Sequence, residues 1–157
     1  MTYANTHRKT VLVLNIEFAP PMLLNAAGHA LLGLVGKSHL DAWNLLPYPC
    51  PAFHTESQIS EYPVVVLRAK RSSQLEKLIQ QLALTSLPYN VFMDAMIGQT
   101  AEQQQQSTRD AQPGCARILC VALFGDEESI RPLIKSFSVY KASDANSAET
   151  TGTTPQA

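Results

Sequence analysis

A chain of 157 residues, 45% of them apolar, with 12 Lys plus Arg against 13 Asp plus Glu, has the size and composition of one folded domain rather than of a disordered segment. The net charge of -1 argues against retention on nucleic acid by bulk charge, because non-specific affinity comes from neutralising many phosphates; only a local basic patch would serve.

The first ten residues, MTYANTHRKT, are polar where a secretion signal needs an uninterrupted apolar stretch, so residues 1–8 are expected to be an N-terminal extension and the protein cytoplasmic. KTVLVLNI, from Lys9 to Ile16, is a nearly continuous β-branched and aliphatic run, the pattern of a central strand covered on both faces. Asn15 interrupts it near the C-terminal end, where an open α/β sheet places its ligand crevice. Pro20-Pro21 stops the strand and suits the first turn of a helix.

From Met22 to about Lys37, Leu23, Ala26, Ala27, Ala30, Leu31, Leu34 and Val35 recur at helical spacing, while Asn25 and His29, four apart, share another face. Gly28 and Gly33 imply close packing against a neighbour, and Gly36 a C-cap. Met22–Val35 is interrupted by Asn25, His29 and two glycines and is too short to cross a bilayer, so no membrane span is expected. Ser38 to Tyr62, with Pro47, Pro49 and Pro51 and no sustained period, reads as mostly irregular chain.

PVVVLR, from Pro63 to Arg68, is a second buried strand, and Ser73-Gln-Leu-Glu76 matches a capping box ahead of a helix carrying Leu75, Leu78, Ile79 and Leu82. LPYNVFMD, from Leu87 to Asp94, gives a third strand. The polar stretch Gly98 to Gln112 contains a Thr100-x-x-Gln103 capping box, so a helix starting at Thr100 must lie on the surface. RILCVALFG, from Arg117 to Gly125, is a fourth strand, followed by acidic residues 126–128 and a helix with Ile130, Leu133, Ile134 and Phe137 that starts late enough to put Pro132 in its first turn. Residues 142–157 lack Leu, Ile, Val and aromatic residues and read as a disordered tail.

This order predicts one three-layer α/β domain over residues 9–141: a four-stranded sheet, mostly parallel or mixed, with helices on both faces. The third and fourth strands have no apolar crossover helix between them, so they are free to pair antiparallel. Cys50, Cys115 and Cys120 are odd in number, without CxxC spacing, which writes neither a disulfide framework nor a metal site. No glycine-rich phosphate loop follows the first strand, so no nucleotide or other cofactor is expected.

The opening strand with its helix reaching His29-Ala30, LPYNVFMDA, GQTA at 98–101 and ILCVALFG with an acidic helix start together resemble the type 2 peptidyl-tRNA hydrolase fold family over residues 9–141. The similarity is closest to an uncharacterised bacterial branch of that fold, a domain of unknown function. In the hydrolases a Gly-Lys element opens the first helix, and that lysine, an aspartate on the third strand and a threonine are held to act at the ester bond. The resemblance places the aspartate at Asp94 and the threonine at Thr100, and implies a homodimer. The lysine has no counterpart: alignment on His29 puts Met22 there, alignment on Ala26-Ala27 puts Leu24, and the family's glutamine becomes Ala26 or Gly28. Such a charge-assisted donor is worth about 2.7–4 kcal/mol in a transition state, which neither apolar side chain supplies.

Asn15, Asn25, His29, Asp94, Gln99 and Thr100 are therefore expected to converge on a polar cleft at the C-terminal edge of the sheet. Each has a bland role beside the functional one: Asp94 as general base, anchor or loop cap; His29 as proton shuttle or packed ring; Asn25 and Thr100 as helix-start groups. Three functions follow. The first is a protein binding an unidentified small molecule or protein, without the family's activity. The second is a hydrolase of peptidyl-tRNA or another ester built on Asp94, with Lys37 or Arg68 replacing the missing cation. The third is an interaction module using Pro47 to Pro51 with Trp43, Tyr48 and Phe53 as aromatic anchors. Arg68, Lys70 and Arg71 suit either an RNA contact or an ordinary solvated turn.

Overall fold

The computed structural model describes residues 6–98, 100–141 and 143–144, and its other strands and helices are arranged about the first strand, β1 (Arg8–Asn15). Along it Val11 and Val13 enter one core and Leu12 and Leu14 the other, which is why a strand of period two appears in the sequence as an unbroken apolar run. There follow α1 (Pro20–Lys37), β2 (Leu45–Cys50), β3 (Thr55–Ser60), β4 (Val64–Ala69), α2 (Ser72–Leu82), β5 (Tyr89–Met93), α3 (Ala101–Asp110), β6 (Ile118–Asp126), α4 (Glu127–Ile134) and β7 (Ser138–Val139).

The main sheet runs β5-β6-β1-β4-β7. β1 pairs parallel with β4 and antiparallel with β6, and β5 is antiparallel to β6, so the sheet is mixed and not mostly parallel; the connection without an apolar crossover helix left β5 and β6 free to pair in this way. α1 covers one face with Leu23, Ala26, Ala30 and Leu34; α2 and α4 cover the other with Leu75, Leu78, Leu82 and Ile130. The sheet has five strands rather than the expected four. The extra one, β7, pairs only Val139 with Leu67 and Ser138 with Arg68, and two exposed residues are too few to show a period. Near the C-terminal end of β5 the register slips: Phe92 faces Cys120 but Met93 faces Ile118, so Leu119 is an extra residue and enters the same core as Cys120.

The segment read as irregular is structured. A 3-10 turn at Leu40–Trp43 leads into a hairpin of β2 and β3, paired from Leu45 with Ser60 to Cys50 with Thr55. The Glu61 N–H donates to the Asn44 carbonyl at 3.1 Å, and counting along the register from that bond leaves Pro47 and Pro49 where an N–H would point away from β3. Proline is tolerated there because no ladder bond is lost. Trp43, expected as an exposed anchor, is only 4% exposed: its ring stacks on Phe124 at 4.3 Å and its Nε1–H donates to Thr10 Oγ1 at 2.9 Å. Tyr48 and Phe53 do remain exposed.

Three local expectations are corrected. α2 starts at Ser72 without a Ser73/Glu76 capping box; Glu76 instead accepts the Gly114 N–H across the molecule at 2.8 Å, and Glu17 from β1's end accepts the Ser72 N–H at 3.3 Å. α4 begins directly after Asp126, with Pro132 in its interior, so the Glu128 carbonyl goes without an intrahelical donor two residues before this short helix ends. Glu127 in its first turn is held below the usual carboxylate range, chiefly by its hydrogen bond from Lys9. α1 runs through Gly36, and Ser38 is the C-cap, its hydroxyl donating to the Leu34 carbonyl at 2.9 Å. Thr100 does cap α3, accepting the Gln103 N–H at 3.2 Å, and α3 buries no residue.

Of the two α1 glycines expected to pack closely, only Gly33 does. A Cβ there would lie 2.2 Å from Asn90 Nδ2, whereas one at Gly28 would meet nothing within 4 Å. Gly28→Ala is expected to stabilise the protein by about 0.5–1 kcal/mol from helix propensity alone. Gly33→Ala gains the same term, but it forces Asn90 off the Ala30 carbonyl and is expected to destabilise by about 1 kcal/mol net. Urea titration of both variants measures the difference in sign. Residues 1–5 of the N-terminal extension, Ala142 and 145–157 of the tail lie outside the described residues. Asp144 is buried, paired with Arg68, and accepts the Lys141 N–H at 2.8 Å.

Candidate functional site

α1, β5 and α3 enclose a cleft of about 650 Å³, within the range of small-ligand sites. Asn25 and His29 reach it from α1, four residues apart on one face as their spacing requires. The His29 ring stacks on Phe92 of β5, centroids 5.6 Å apart and planes 16° from parallel, so the imidazole has one face packed and its polar edge free to meet a ligand. Asn90 fixes the strand against the helix, its Nδ2 donating to the Ala30 carbonyl at 3.2 Å over the bare face of Gly33.

The opposite wall is α3. It presents Gln104, Gln105, Thr108 and Arg109, two i, i+4 pairs on one stripe. Gln104 Nε2 donates to the Gly98 carbonyl at 2.9 Å, tying α3 to the turn after β5, and the Thr108 hydroxyl donates to the Gln104 carbonyl at 2.8 Å. Arg109 is oriented by Gln106, whose Oε1 accepts from Nη2 at 2.9 Å and from Nε at 3.3 Å. Met96 and Ile97 supply apolar floor. No carboxylate lines this cleft among the described residues, and Arg109 is its cation, so the lining favours a neutral or anionic polar ligand.

Of the six residues expected to converge, the structure brings Asn25 and His29 together here. Asn15 is fully buried elsewhere. Its Nδ2 lies within hydrogen-bond distance of the Ile118 carbonyl, Ser72 Oγ and Glu17 Oε2, and its Oδ1 accepts the Glu17 N–H at 3.1 Å. With Ser72 Oγ also accepting the Ile118 N–H at 3.0 Å, this knot ties the ends of β1, α2 and β6. Asp94, half-buried, opens a 3-10 turn after β5; its N–H donates to the Arg117 carbonyl at 2.9 Å and its Oδ1 accepts the Arg117 N–H at 3.4 Å. It borders a smaller hollow with Ser107, Asp110 and Cys115. Thr100 caps α3 and does not line the cleft, and Gln99 lies outside the described residues.

Sequence reasoning missed Asn90, Gln104, Thr108 and Arg109. The available signals were Gly33, a gap in a helix that some neighbour must fill, and a polar helix whose i, i+4 stripe had no apolar core to serve. The two cations expected near Asp94 are placed otherwise. Lys37 Nζ donates to the Tyr89 carbonyl at 3.3 Å, and Arg68 pairs with Asp144. Arg117 is the basic residue that adjoins Asp94, with its guanidinium 4.4 Å over the Phe18 ring just before α1.

Among the described residues no cluster of three metal-ligating side chains occurs, and no helix is long and apolar enough to cross a membrane. Burial pushes the Cys120 thiol up to about 12, whereas Cys115 is exposed. Iodoacetamide at neutral pH is accordingly expected to alkylate Cys115 in the folded protein and Cys120 only after denaturation, as read by peptide mass mapping.

Residues 8–141 match the family model described as protein of unknown function DUF2000. A solved structure of a protein of unknown function from Agrobacterium tumefaciens strain C58 is similar over 87% of this chain and 100% of its own, with a TM-score of 0.75 and 18% identity, a likeness of fold. No curated protein matches the chain.

Proposed function

We propose, for a chain that belongs to the DUF2000 family of unknown function, that it is a ligand-binding protein whose cleft between α1, β5 and α3 takes a small polar molecule, without hydrolase chemistry. The observation that carries this reading is the composition of the cleft: amides, a hydroxyl, a packed imidazole and one cation face the same space, while Asp94 faces another with its carboxylate engaged by a backbone amide. Those groups orient a ligand; they include no nucleophile with an adjacent base. The reading keeps the kinship with type 2 peptidyl-tRNA hydrolases carried by LPYNVFMDA and GQTA, with the lysine position filled by Met22 or Leu24. It places the protein in the cytoplasm, and exposed Leu24 and Leu32 of α1 suit a homodimer.

Thermal melts against a panel of small carboxylates, amides and nucleosides test the reading. A ligand at a hundred times its Kd stabilises by about 2.7 kcal/mol, and the shift should shrink in His29→Ala and Arg109→Gln, to about 1.4 kcal/mol for a ten-fold loss of affinity. A panel that moves neither the wild type nor the variants would sink the proposal.

A second reading, a hydrolase of peptidyl-tRNA or another ester, is favoured by one observation: Arg117 accepts the Asp94 N–H at its carbonyl, donates its own N–H to the Asp94 carboxylate, and carries its guanidinium toward the start of α1. It predicts release of a labelled aminoacyl peptide from tRNA that collapses in Asp94→Asn and Arg117→Gln, whereas the binding reading predicts no turnover.

A further inference from the structure

β5 is an edge strand, and the cleft lies against its open edge. Antiparallel pairing alternates residues that bond the neighbour with residues whose N–H and C=O point away. On β5 the phase is fixed by the Phe124 N–H, which donates to the Pro88 carbonyl at 3.2 Å, so Asn90 and Phe92 bond β6 while Tyr89 and Val91 point outward. Lys37 agrees with this phase, since its Nζ reaches the outward Tyr89 carbonyl. Val91 is the next outward residue. Its side chain packs in the α2/α4 core, on the face opposite His29 and Phe92, so Val91 borders the cleft through its backbone. Among the described residues no strand pairs with this edge.

A bare edge is a template for strand addition, and proteins blunt edges that serve no purpose with lysine, proline or a covering element. The first two devices occur in this chain. Lys37 guards the Tyr89 carbonyl, and Pro47 and Pro49 blunt the outer edge of β2. Val91 has neither, and the space beside it is walled by Arg109 with no acidic residue in the lining. We infer that the ligand of this cleft is the C-terminal end of an extended peptide, one of whose peptide units pairs with the Val91 N–H and C=O while its terminal carboxylate meets Arg109. Main-chain pairing supplies affinity in such additions, and a guanidinium fits a carboxylate in a planar fork. The inference rests on the cleft being a binding site and goes further by naming the ligand class.

The test titrates the full chain, isotopically labelled, with tetrapeptides of Ala and Val, read by NMR shifts and amide hydrogen exchange. The expected result is saturable binding with protection of the Val91 amide. Amidating the peptide C-terminus, or Arg109→Gln, should each weaken binding about ten-fold, the loss of one charge-assisted pair. Val91→Pro removes the outward donor without removing a β6 ladder bond, and should abolish binding in a protein that still folds; N-methylating the paired peptide amide tests the same bond from the other side should that variant unfold. Binding that ignores amidation and leaves Val91 unprotected would overturn the inference, as would no binding. If small-molecule fragments then shift Asn25 and His29 where peptides do not, the ligand class alone is wrong; if fragments also fail, the binding function falls with it.

Discussion

Trp43→Ala is expected to destabilise the protein by about 3–5 kcal/mol, the range for removing a buried aromatic ring from a core. The segment around Trp43 carries three prolines and no apolar period, yet Trp43 buries its whole ring against the main sheet. The indole lies on Phe124 of β6, with Tyr62 completing the cluster at 6.0 Å from the same ring, and it donates to the buried Thr10 hydroxyl of β1. Trp43→Phe keeps most of the stacking and loses the hydrogen bond, for an expected cost of about 1–2 kcal/mol. Far-UV circular dichroism in urea measures both. Were Trp43 an exposed anchor for a partner, each substitution would instead leave stability within about 0.5 kcal/mol of wild type.

What the sequence disclosed and withheld follows from physics at particular residues. Buried strands announce themselves: β1, β4, β5 and β6 are apolar runs because both faces are covered, and a connection too polar to cross the sheet left the antiparallel β5/β6 pair as one of the alternatives. The hairpin β2/β3 was hidden because it exposes nearly every residue, so nothing selects an alternating pattern, and its prolines sit at outward positions where they break no ladder. The bulge at Leu119 was hidden because its neighbours are apolar on either register.

The candidate site was half legible for a similar reason. Asn25 and His29 share a face by helical geometry alone, and that face does border the cleft. Asn15 and Asp94 were placed correctly at the ends of their strands, but a strand end is where three elements meet, and their polar groups serve junctions there. The rest of the cleft depends on how far α3 stands from β5. Gln104, Thr108 and Arg109 are ordinary surface residues in sequence, and only the fold sets them opposite His29 and the free edge of Val91.

Asn15→Leu is expected to cost about 2–3 kcal/mol, although leucine is nearly isosteric and matches the apolar run around it. The substitution strands the buried Ile118 carbonyl, at about 1–3 kcal/mol, and takes its acceptor from the N–H of the exposed Glu17, which water can still reach. It also removes a donor from Ser72 Oγ, the group that receives the Ile118 N–H, so the loss spreads from β1 to α2 and β6. Asn15→Asp separates hydrogen bonding from shape. Its carboxylate still accepts the Glu17 N–H but donates nothing to Ile118, and it is itself buried, beside the exposed Glu17 carboxylate. Burial and that neighbour both raise its folded pKa above the unfolded value, so the unfolded state holds fewer protons through the window between the two. The variant should therefore be least stable at neutral pH and regain stability as the pH falls through that raised pKa, while Asn15→Leu shows no such recovery over the wild type. Urea midpoints at neutral pH and at about pH 5 measure the contrast. Equal pH dependence in the two variants would mean that water reaches the knot and that Asn15 does not seal the junction.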